Sequence, residues 1–279
     1  MSEPATRRAV ERARAVVVRG GRAAERVDRV AGEEPLEIRA AGPGQTPVQV
    51  AVTMRTPGHD FDLAAGFLFT EGLVQPGDVA RVSYCDDLDD DQRFNVVTVR
   101  TRARFDAESL TRHFFATSSC GVCGKASLDA VAVACERVGP GPRVARSVLE
   151  RLPDALRAAQ RVFEATGGLH AAGLFDARGD AVVVREDVGR HNAVDKAIGA
   201  LLLRDGTPLP DALLMVSGRV SFEVVQKAAV AGVPVVCAVS APTSLAVDAS
   251  RRFGMTLVGF LRGDGFNVYS APERVDLDA

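Results

Sequence analysis

Hydrophobic positions change their period as the chain is read. Near the N-terminus they alternate, so Pro35–Arg39 and Val48–Met54 read as paired strands. Phe61–Glu71 then carries Phe61, Ala64, Ala65 and Leu68 at helical spacing and stops at Gly72. Val79–Tyr84 and Phe94–Arg100 predict a second strand pair around CDDLDDDQ, whose aspartates read as a solvated hairpin loop rather than a cation site. Ala126–Val138 has helical periodicity, GPGPRVAR (139–146) predicts a loop, and Leu152–Thr166 predicts a helix closed by Gly167-Gly168.

From residue 169 the pattern becomes that of an α/β unit. Leu169–Phe175 and Ala181–Glu186 predict a hairpin around Asp176–Asp180. Helix His191–Leu203, strand Ala212–Val216, helix Phe222–Ala231, strand Val233–Val239, helix Ser244–Phe253 and strand Thr256–Leu261 follow. Strands alternating with helices imply parallel crossover units and a sheet covered by helices. The fold class expected is therefore α/β, with an α+β arrangement overall. The predicted organisation is a disordered basic tail over 1–20, a β-rich N-terminal domain over 21–112, a flexible connector over 113–125 and an α/β domain over 126–279.

Composition narrows the function classes. A chain of 279 residues with 47% apolar and 25% charged residues can bury a sizeable core. Its net charge of −2 gives no global basic field, so no nucleic-acid partner is expected and any anion site must be built locally. The arginine- and alanine-rich start has only the short apolar run Ala15–Val18, too short for a signal-peptide core. Ala228–Val239 is too short for a bilayer span and is interrupted by Gly232 and Pro234. A soluble, cytoplasmic protein with no membrane contact is expected.

Of the five cysteines, Cys135 and Cys237 sit in apolar runs and read as core residues, while nothing argues a role for Cys85. The other two form a CxxC in SSCGVCGK (118–125), with Cys120 and Cys123 in a polar connector ahead of a predicted helix. A zinc site needs further ligands, and no second CxxC, HxxxH or CxH occurs. The H-x-E element and the proline that a zinc deaminase needs are also missing, so no structural zinc is expected. A helix N-terminus and Lys125 both favour thiolate. Spacing alone does not separate a persulfide carrier from a dithiol oxidoreductase.

In a βαβ layout ligands sit at the carboxyl ends of strands. Two predicted corners there are polar, Ser217-Gly-Arg219-Val-Ser221 and Ser240-Ala-Pro-Thr243-Ser244. They offer hydroxyls, free backbone N–H groups and the Arg219 fork to an anion. A plainer reading makes Ser221 and Thr243 helix N-caps only. The densest polar cluster, Arg185–Lys196, runs from a strand end into a helix. Asp187, Arg190, His191 and Asn192 are its candidates for holding a heterocycle and its phosphates, against a reading as caps and solvated ion pairs.

Seven segments, in order, carry a resemblance. They are MRTPGHD–GFLFTEG (54–72), SSCGVCGK (118–125), GGLHAAG (167–173), REDVGRHNAVDK (185–196), SGRVSFEVVQKA (217–228), SAPTSLAV (240–247) and GFLRGDGFNVYS (259–270). Together they resemble the formate dehydrogenase accessory sulfurtransferases, the FdhD/NarQ family. The resemblance implies a sulfur carrier that accepts persulfide sulfur from a cysteine desulfurase. It would pass that sulfur to the molybdenum cofactor, in its bis-guanine-dinucleotide form, before insertion into formate dehydrogenase. It also implies a cytidine-deaminase-like C-terminal domain without the deaminase zinc, and a homodimer. Cys120 would form the persulfide, Cys123 would support it, and Phe260, Leu261, Arg262, Gly263, Asp264 and Gly265 would contact the cofactor. Arg190, Arg219 and Arg262 would be the phosphate partners. The alternatives are a non-covalent cofactor chaperone and a CxxC dithiol oxidoreductase.

Overall fold

The computed structural model describes residues 8–85, 93–107, 137–204, 206 and 209–279. Two strands at the start, β1 (Val10–Arg19) and β2 (Arg22–Ala31), form an antiparallel hairpin in full register from Val10↔Ala31 to Arg19↔Arg22. Residues 10–19 thus form a strand where the sequence predicts a disordered tail. The reason is the two-residue Gly20-Gly21 turn, in which both φ angles are positive (55° and 73°), the backbone a tight hairpin demands.

Next, β3 (Glu34–Ala41), β4 (Val48–Arg55), β5 (Val79–Tyr84) and β6 (Val96–Thr101) form a four-stranded sheet in the order β4-β3-β6-β5. Both predicted strand pairs are present, with β3–β6 the parallel contact between them. Helix α1 (Asp60–Thr70) packs on this sheet.

The C-terminal part holds a six-stranded sheet of β8 (His170–Phe175), β9 (Ala181–Asp187), β10 (Leu213–Val216), β11 (Val235–Ala238), β12 (Thr256–Arg262) and β13 (Gly265–Ser270). The order is β13-β12-β11-β10-β8-β9, and only β10, β11 and β12 pair in parallel with one another. The sheet is therefore mixed, with an antiparallel hairpin at each edge. Helices α4 (Arg190–Arg204), α5 (Phe222–Val230) and α6 (Ser244–Phe253) match the predicted crossovers within a residue or two.

The central strands read LLMV and VVCA because both faces are covered. Leu214, Val216, Val236 and Ala238 face one core with α4, α5 and the N-terminal sheet. Leu213, Met215, Val235 and Cys237 face a second core under helix α2 (Arg146–Ala159). The first core runs without a break through the N-terminal sheet and the C-terminal one.

Three other local expectations differ from what is seen. Leu152–Thr166 is two helices, α2, with Pro153 inside it, and the short α3 (Arg161–Thr166). The break is held by Glu186, whose carboxylate accepts from the amides of Val162 (2.9 Å) and Phe163 (2.7 Å) at the start of α3. In GPGPRVAR, Val144–Ala145 forms a short strand, β7, paired in parallel with β14 (Val275–Asp276). Arg137 and Val138 carry no regular structure, and the rest of the predicted 126–138 helix lies outside the described residues.

Charged residues stitch the N-terminal sheet and α1 to α4 and α5. Arg55, fully buried, holds Asp60 with two bonds of 3.0 and 2.9 Å and reaches Glu34 at 3.3 Å. Lys227 spends its three N–H donors on Thr70 (2.9 Å), Glu71 (2.8 Å) and Asp195 (3.0 Å). Burial opposes the charge on Lys227, but Asp195 and Glu71 outweigh it and hold its pKa above the ordinary value. At the crossing of α1 and α4, only glycines fit. A Cβ on Gly66 would lie 1.9 Å from the Asp195 carbonyl oxygen, and one on Gly199 would lie 1.9 Å from that of Asp62.

Candidate functional site at the carboxyl edge of the sheet

Strand directions bring the candidate segments together. Since β8 is antiparallel to both β9 and β10, the strands β9, β10, β11 and β12 all point one way. Their carboxyl ends share one edge, carrying Asp187–Asn192, Ser217–Ser221, Ser240–Thr243 and Phe260–Arg262. Helices α4, α5 and α6 start at this same edge, so three helix N-termini supply orphan N–H groups and positive dipole ends there. The two polar corners are locked side by side, because Val220 N–H donates to Ala241 O (3.2 Å) and Thr243 N–H to Val220 O (2.9 Å). Phe260 N–H donates to Ser240 O (3.1 Å), which ties the end of β12 to the second corner.

Several candidates turn out to build this edge. Asp187 is fully buried and accepts from Thr56 N–H (3.1 Å), Gly189 N–H (2.8 Å) and Asn192 Nδ2 (3.1 Å) while pairing with Lys196 at 2.6 Å. Asn192 also donates to Met54 O at 2.8 Å. Both are filled by the scaffold and have little capacity left for a ligand. Ser217 Oγ accepts from Ala171 N–H (2.9 Å), holding its corner to β8. Thr243 caps α6, accepting from Ala246 N–H (3.2 Å). Leu261 is fully buried in the core under α2. The stretch Phe260–Gly265 does not follow the last strand, as the sequence suggests. It is the end of β12 and the turn into β13, with Arg262, Gly263, Asp264 and Gly265 exposed at the tip.

Other groups at the edge are uncommitted. Arg190 opens α4, and its Nε is buried with no hydrogen-bond partner among the described residues. A buried guanidinium N–H without an acceptor is costly and is expected where an anion completes the site. Ser221 does not cap α5 with its side chain. Its hydroxyl instead lies 3.1 Å from His191 Nε2, within hydrogen-bond distance. Burial would raise Glu223, but the Ser221 hydroxyl, the backbone and the nearby His191 and Arg190 hold its pKa below the usual carboxylate range. Arg219 is exposed and Ser240 half-buried.

His170 is the residue that the sequence reading missed. It begins β8 beside the Ser217 corner, where a Cβ on Gly218 would lie 3.3 Å from its Nδ1. Burial and the Arg190 cation lower the His170 pKa against the pull of Asp187. Burial and Arg190 likewise lower His191, with Lys227 adding to this and Glu223 and Glu71 opposing. Arg190 is thus near enough to both imidazoles to disfavour their protonated forms. In the sequence His170 stands near the start of a predicted strand and inside the GGLHAAG segment (167–173), and its place becomes informative once β8 is known to run against β10.

Cys120 and Cys123, with the rest of the predicted 113–125 connector, lie outside the described residues, as does Cys135. Cys237 is fully buried, and burial pushes its thiol up to about 12, so it is inert packing. Cys85 is a half-buried free thiol.

Known proteins give the arrangement its class. The FdhD/NarQ family pattern matches residues 31–276. The sulfur carrier protein FdhD of Streptomyces coelicolor is 51% identical, covering 98% of each chain. That of Mycobacterium tuberculosis is 51% identical over 90% of this chain and 92% of its own, and that of Sulfurisphaera tokodaii 44% identical over 95% and 99%. A crystal structure from Desulfotalea psychrophila, of a proposed formate dehydrogenase accessory protein, shares the fold. Its TM-score is 0.73 at 24% identity, covering 96% of this chain and all of that one. The chain belongs to the FdhD/NarQ family.

Proposed function

We propose that the protein is a sulfur carrier that acts as a sulfurtransferase in the maturation of formate dehydrogenase. The observation that carries this is the near-full-length identity to sulfur carrier proteins of the family, 51% over 98% of both chains. The Cys120 thiolate attacks the terminal sulfur of a persulfide on a cysteine desulfurase. An S–S bond forms on Cys120, the donor's S–S bond breaks, and the donor leaves as its thiolate. Cys123 supports the carrier thiol.

The acceptor is the molybdenum cofactor in its bis-guanine-dinucleotide form, bound as substrate at the carboxyl edge of the C-terminal sheet. The chemistry of that edge fits a phosphate-bearing group: three helix N-termini, the unpartnered Arg190 Nε and two imidazoles able to donate. Arg190, His170 and His191 hold phosphate, Arg219 and Arg262 add charge from the rims, and Phe260 offers a ring near Ser240. Asp187 and Asn192 hold the loop that presents Arg190. The sulfur donor, the cofactor and formate dehydrogenase are the partners, and the reaction belongs to the cytoplasm.

Intact-protein mass spectrometry after incubation with a desulfurase and cysteine tests the reading. One added sulfur that disappears in Cys120→Ala is expected, together with loss of formate dehydrogenase maturation. Full maturation by Cys120→Ala overturns it in favour of non-covalent delivery. Equal dependence on Cys123, with a reversible disulfide, overturns it in favour of dithiol redox chemistry.

A further inference from the structure

The amino edge of the C-terminal sheet, opposite the carboxyl edge, holds a cleft of about 500 Å³. It lies where α6 ends and β12 begins, beside the turn that leaves β13. The length of β12, about 20 Å at the rise of a strand, separates it from Arg262. None of the carboxyl-edge candidates lines it.

Three guanidinium groups line this cleft, on Arg137, Arg251 and Arg274, against one carboxylate, Glu273. Elsewhere the fold meets an anchored arginine with carboxylates, as Asp60 and Glu34 do for Arg55 and Asp62 does for Arg185. Here the acceptors are neutral. Arg274 donates to Gly139 O (2.9 Å), Pro140 O and Thr256 Oγ1 (3.3 Å), and Arg251 to Tyr269 O (3.3 Å). Arg137 lies over the Gly254 turn, where a Cβ would stand 3.1 Å from its Nη2, and has no acceptor among the described residues. Burial lowers the Arg274 pKa and Arg137 lowers it further, against the pull of Glu273, so like charges crowd one cleft.

The end of α6 accounts for only part of this charge. A helix carboxyl end carries about half a negative charge. Arg251 and Arg252, in the last turn of α6, already offset it. Arg137 and Arg274 come from other segments and exceed it. The backbone adds an independent sign. Ala271, in the cleft wall, is held at φ 43° and ψ 58°, a left-handed setting that alanine rarely adopts. Its carbonyl accepts from Thr256 Oγ1 (2.8 Å), and the turn it makes brings Arg274 back to the cleft. Strain of this kind recurs where ligands bind.

We propose that this cleft binds a small phosphate ester, with Arg137, Arg251 and the spare donors of Arg274 on the phosphate and Val138, Pro140 and Pro272 against its organic body. A phosphate dianion matches three cations set against one carboxylate, and planar guanidinium forks fit its oxygens. The volume is larger than a bare phosphate needs and lies in the usual range of small-molecule sites. Neither the sulfur-carrier reading nor the carboxyl edge enters this argument, so each stands or falls separately.

Titration calorimetry of the full chain with phenyl phosphate is the test, run in an Arg190→Gln background that weakens the carboxyl edge. Saturable binding is expected, tighter than that of inorganic phosphate because the ring adds apolar contact. Adding Arg137→Gln/Arg251→Gln should raise the dissociation constant at least tenfold and leave the thermal transition in place. Hydrogen exchange on adding phenyl phosphate should slow over 137–141 and 271–274 and stay unchanged over 187–192. Absence of binding in the Arg190→Gln protein overturns the proposal, as does an affinity that the two further substitutions leave untouched. Benzoate binding as tightly as phenyl phosphate overturns it too, since the site would then read charge and not phosphate. If the combined variant is unstable, Arg137→Gln alone decides, because that side chain makes no bond to the described fold.

Discussion

Lys196 and Asp187 form an ion pair of 2.6 Å in which neither side chain is more than 1% exposed. Lys196 sits on α4 and Asp187 ends β9, and the Lys196 ammonium also donates to Thr56 O at 2.8 Å across to the N-terminal part. One pair thus fixes the strand end, the helix that presents Arg190 and His191, and the Met54–Thr56 segment that lies against them. Removing one partner leaves a buried charge without compensation, typically at a cost of about 3–5 kcal/mol. Lys196→Met should therefore lose stability on that order in urea unfolding. Lys196→Met/Asp187→Asn should recover part of the loss, because no lone charge remains. A double variant as unstable as the sum of the two singles would show that the two groups are not coupled.

The α1–α4 crossing makes a prediction of a different kind. Gly66→Ala places a methyl group where backbone atoms of α4 already lie, and no rotamer can relieve a backbone clash. Overpacking of this sort costs about 1–3 kcal/mol or more. Because Asp62 and Asp195 flank the crossing, Gly66→Ala should also disturb the Arg185–Asp62 pair (2.8 Å) and the Lys227–Asp195 pair. Urea midpoints should fall for Gly66→Ala and for Gly199→Ala. The double variant should be less unstable than the sum of the two, since each methyl forces the same separation.

Stability should also fall with pH through the two edge histidines. Both have folded pKa values below the ordinary histidine value. An imidazole in the unfolded chain titrates near about 6.5. Above that pH both states are neutral there, and the full stability is present. As pH falls from about 6.5 toward the lower folded values, the unfolded chain takes up protons that the folded one resists, and stability is lost. The urea midpoint of the wild type should decline over this window more steeply than that of His170→Gln/His191→Gln. Identical slopes would mean that neither ring is held neutral by the fold.

How far the sequence carried depended on which kind of signal each element gives. Helices α4, α5 and α6 and the strands between them were legible because buried parallel units write long apolar runs separated by polar corners. The β1–β2 hairpin was not, because its alternation lies in an arginine-rich stretch where exposed valines look like a tail. The strand β13 was missed because it follows a turn that reads as the end of the sheet. At the candidate site, the corners and Arg190 were legible as polar punctuation after strands. The division of labour within them was not. Asp187 and Asn192 look as available as His191 in one dimension, and only the fold shows that Thr56, Gly189 and Lys196 have filled Asp187. Phe260 gave no warning of its positive φ of 55°, a strained setting for a bulky residue that recurs at binding sites.

Arg190 offers the sharpest separation between a scaffold role and a binding role. A scaffold arginine has its donors filled, as Arg55 does, and its loss destabilises the protein. Arg190 keeps a buried Nε without a partner, so the apo protein carries the cost of desolvating it and the ligand supplies the acceptor. Arg190→Gln should thus leave the urea midpoint unchanged or slightly higher. It should weaken binding of guanosine diphosphate, the probe for the cofactor's nucleotide arm, by about 10–100-fold, the worth of a hydrogen bond to a charged group. Arg190→Lys should restore only part of this, since a point charge replaces the planar fork. Removing the cation should also let the His170 and His191 pKa values rise toward the ordinary one, observable in their ring-proton NMR titrations. Loss of stability with unchanged nucleotide affinity would return Arg190 to the scaffold and move the phosphate site to Arg219 and Arg262.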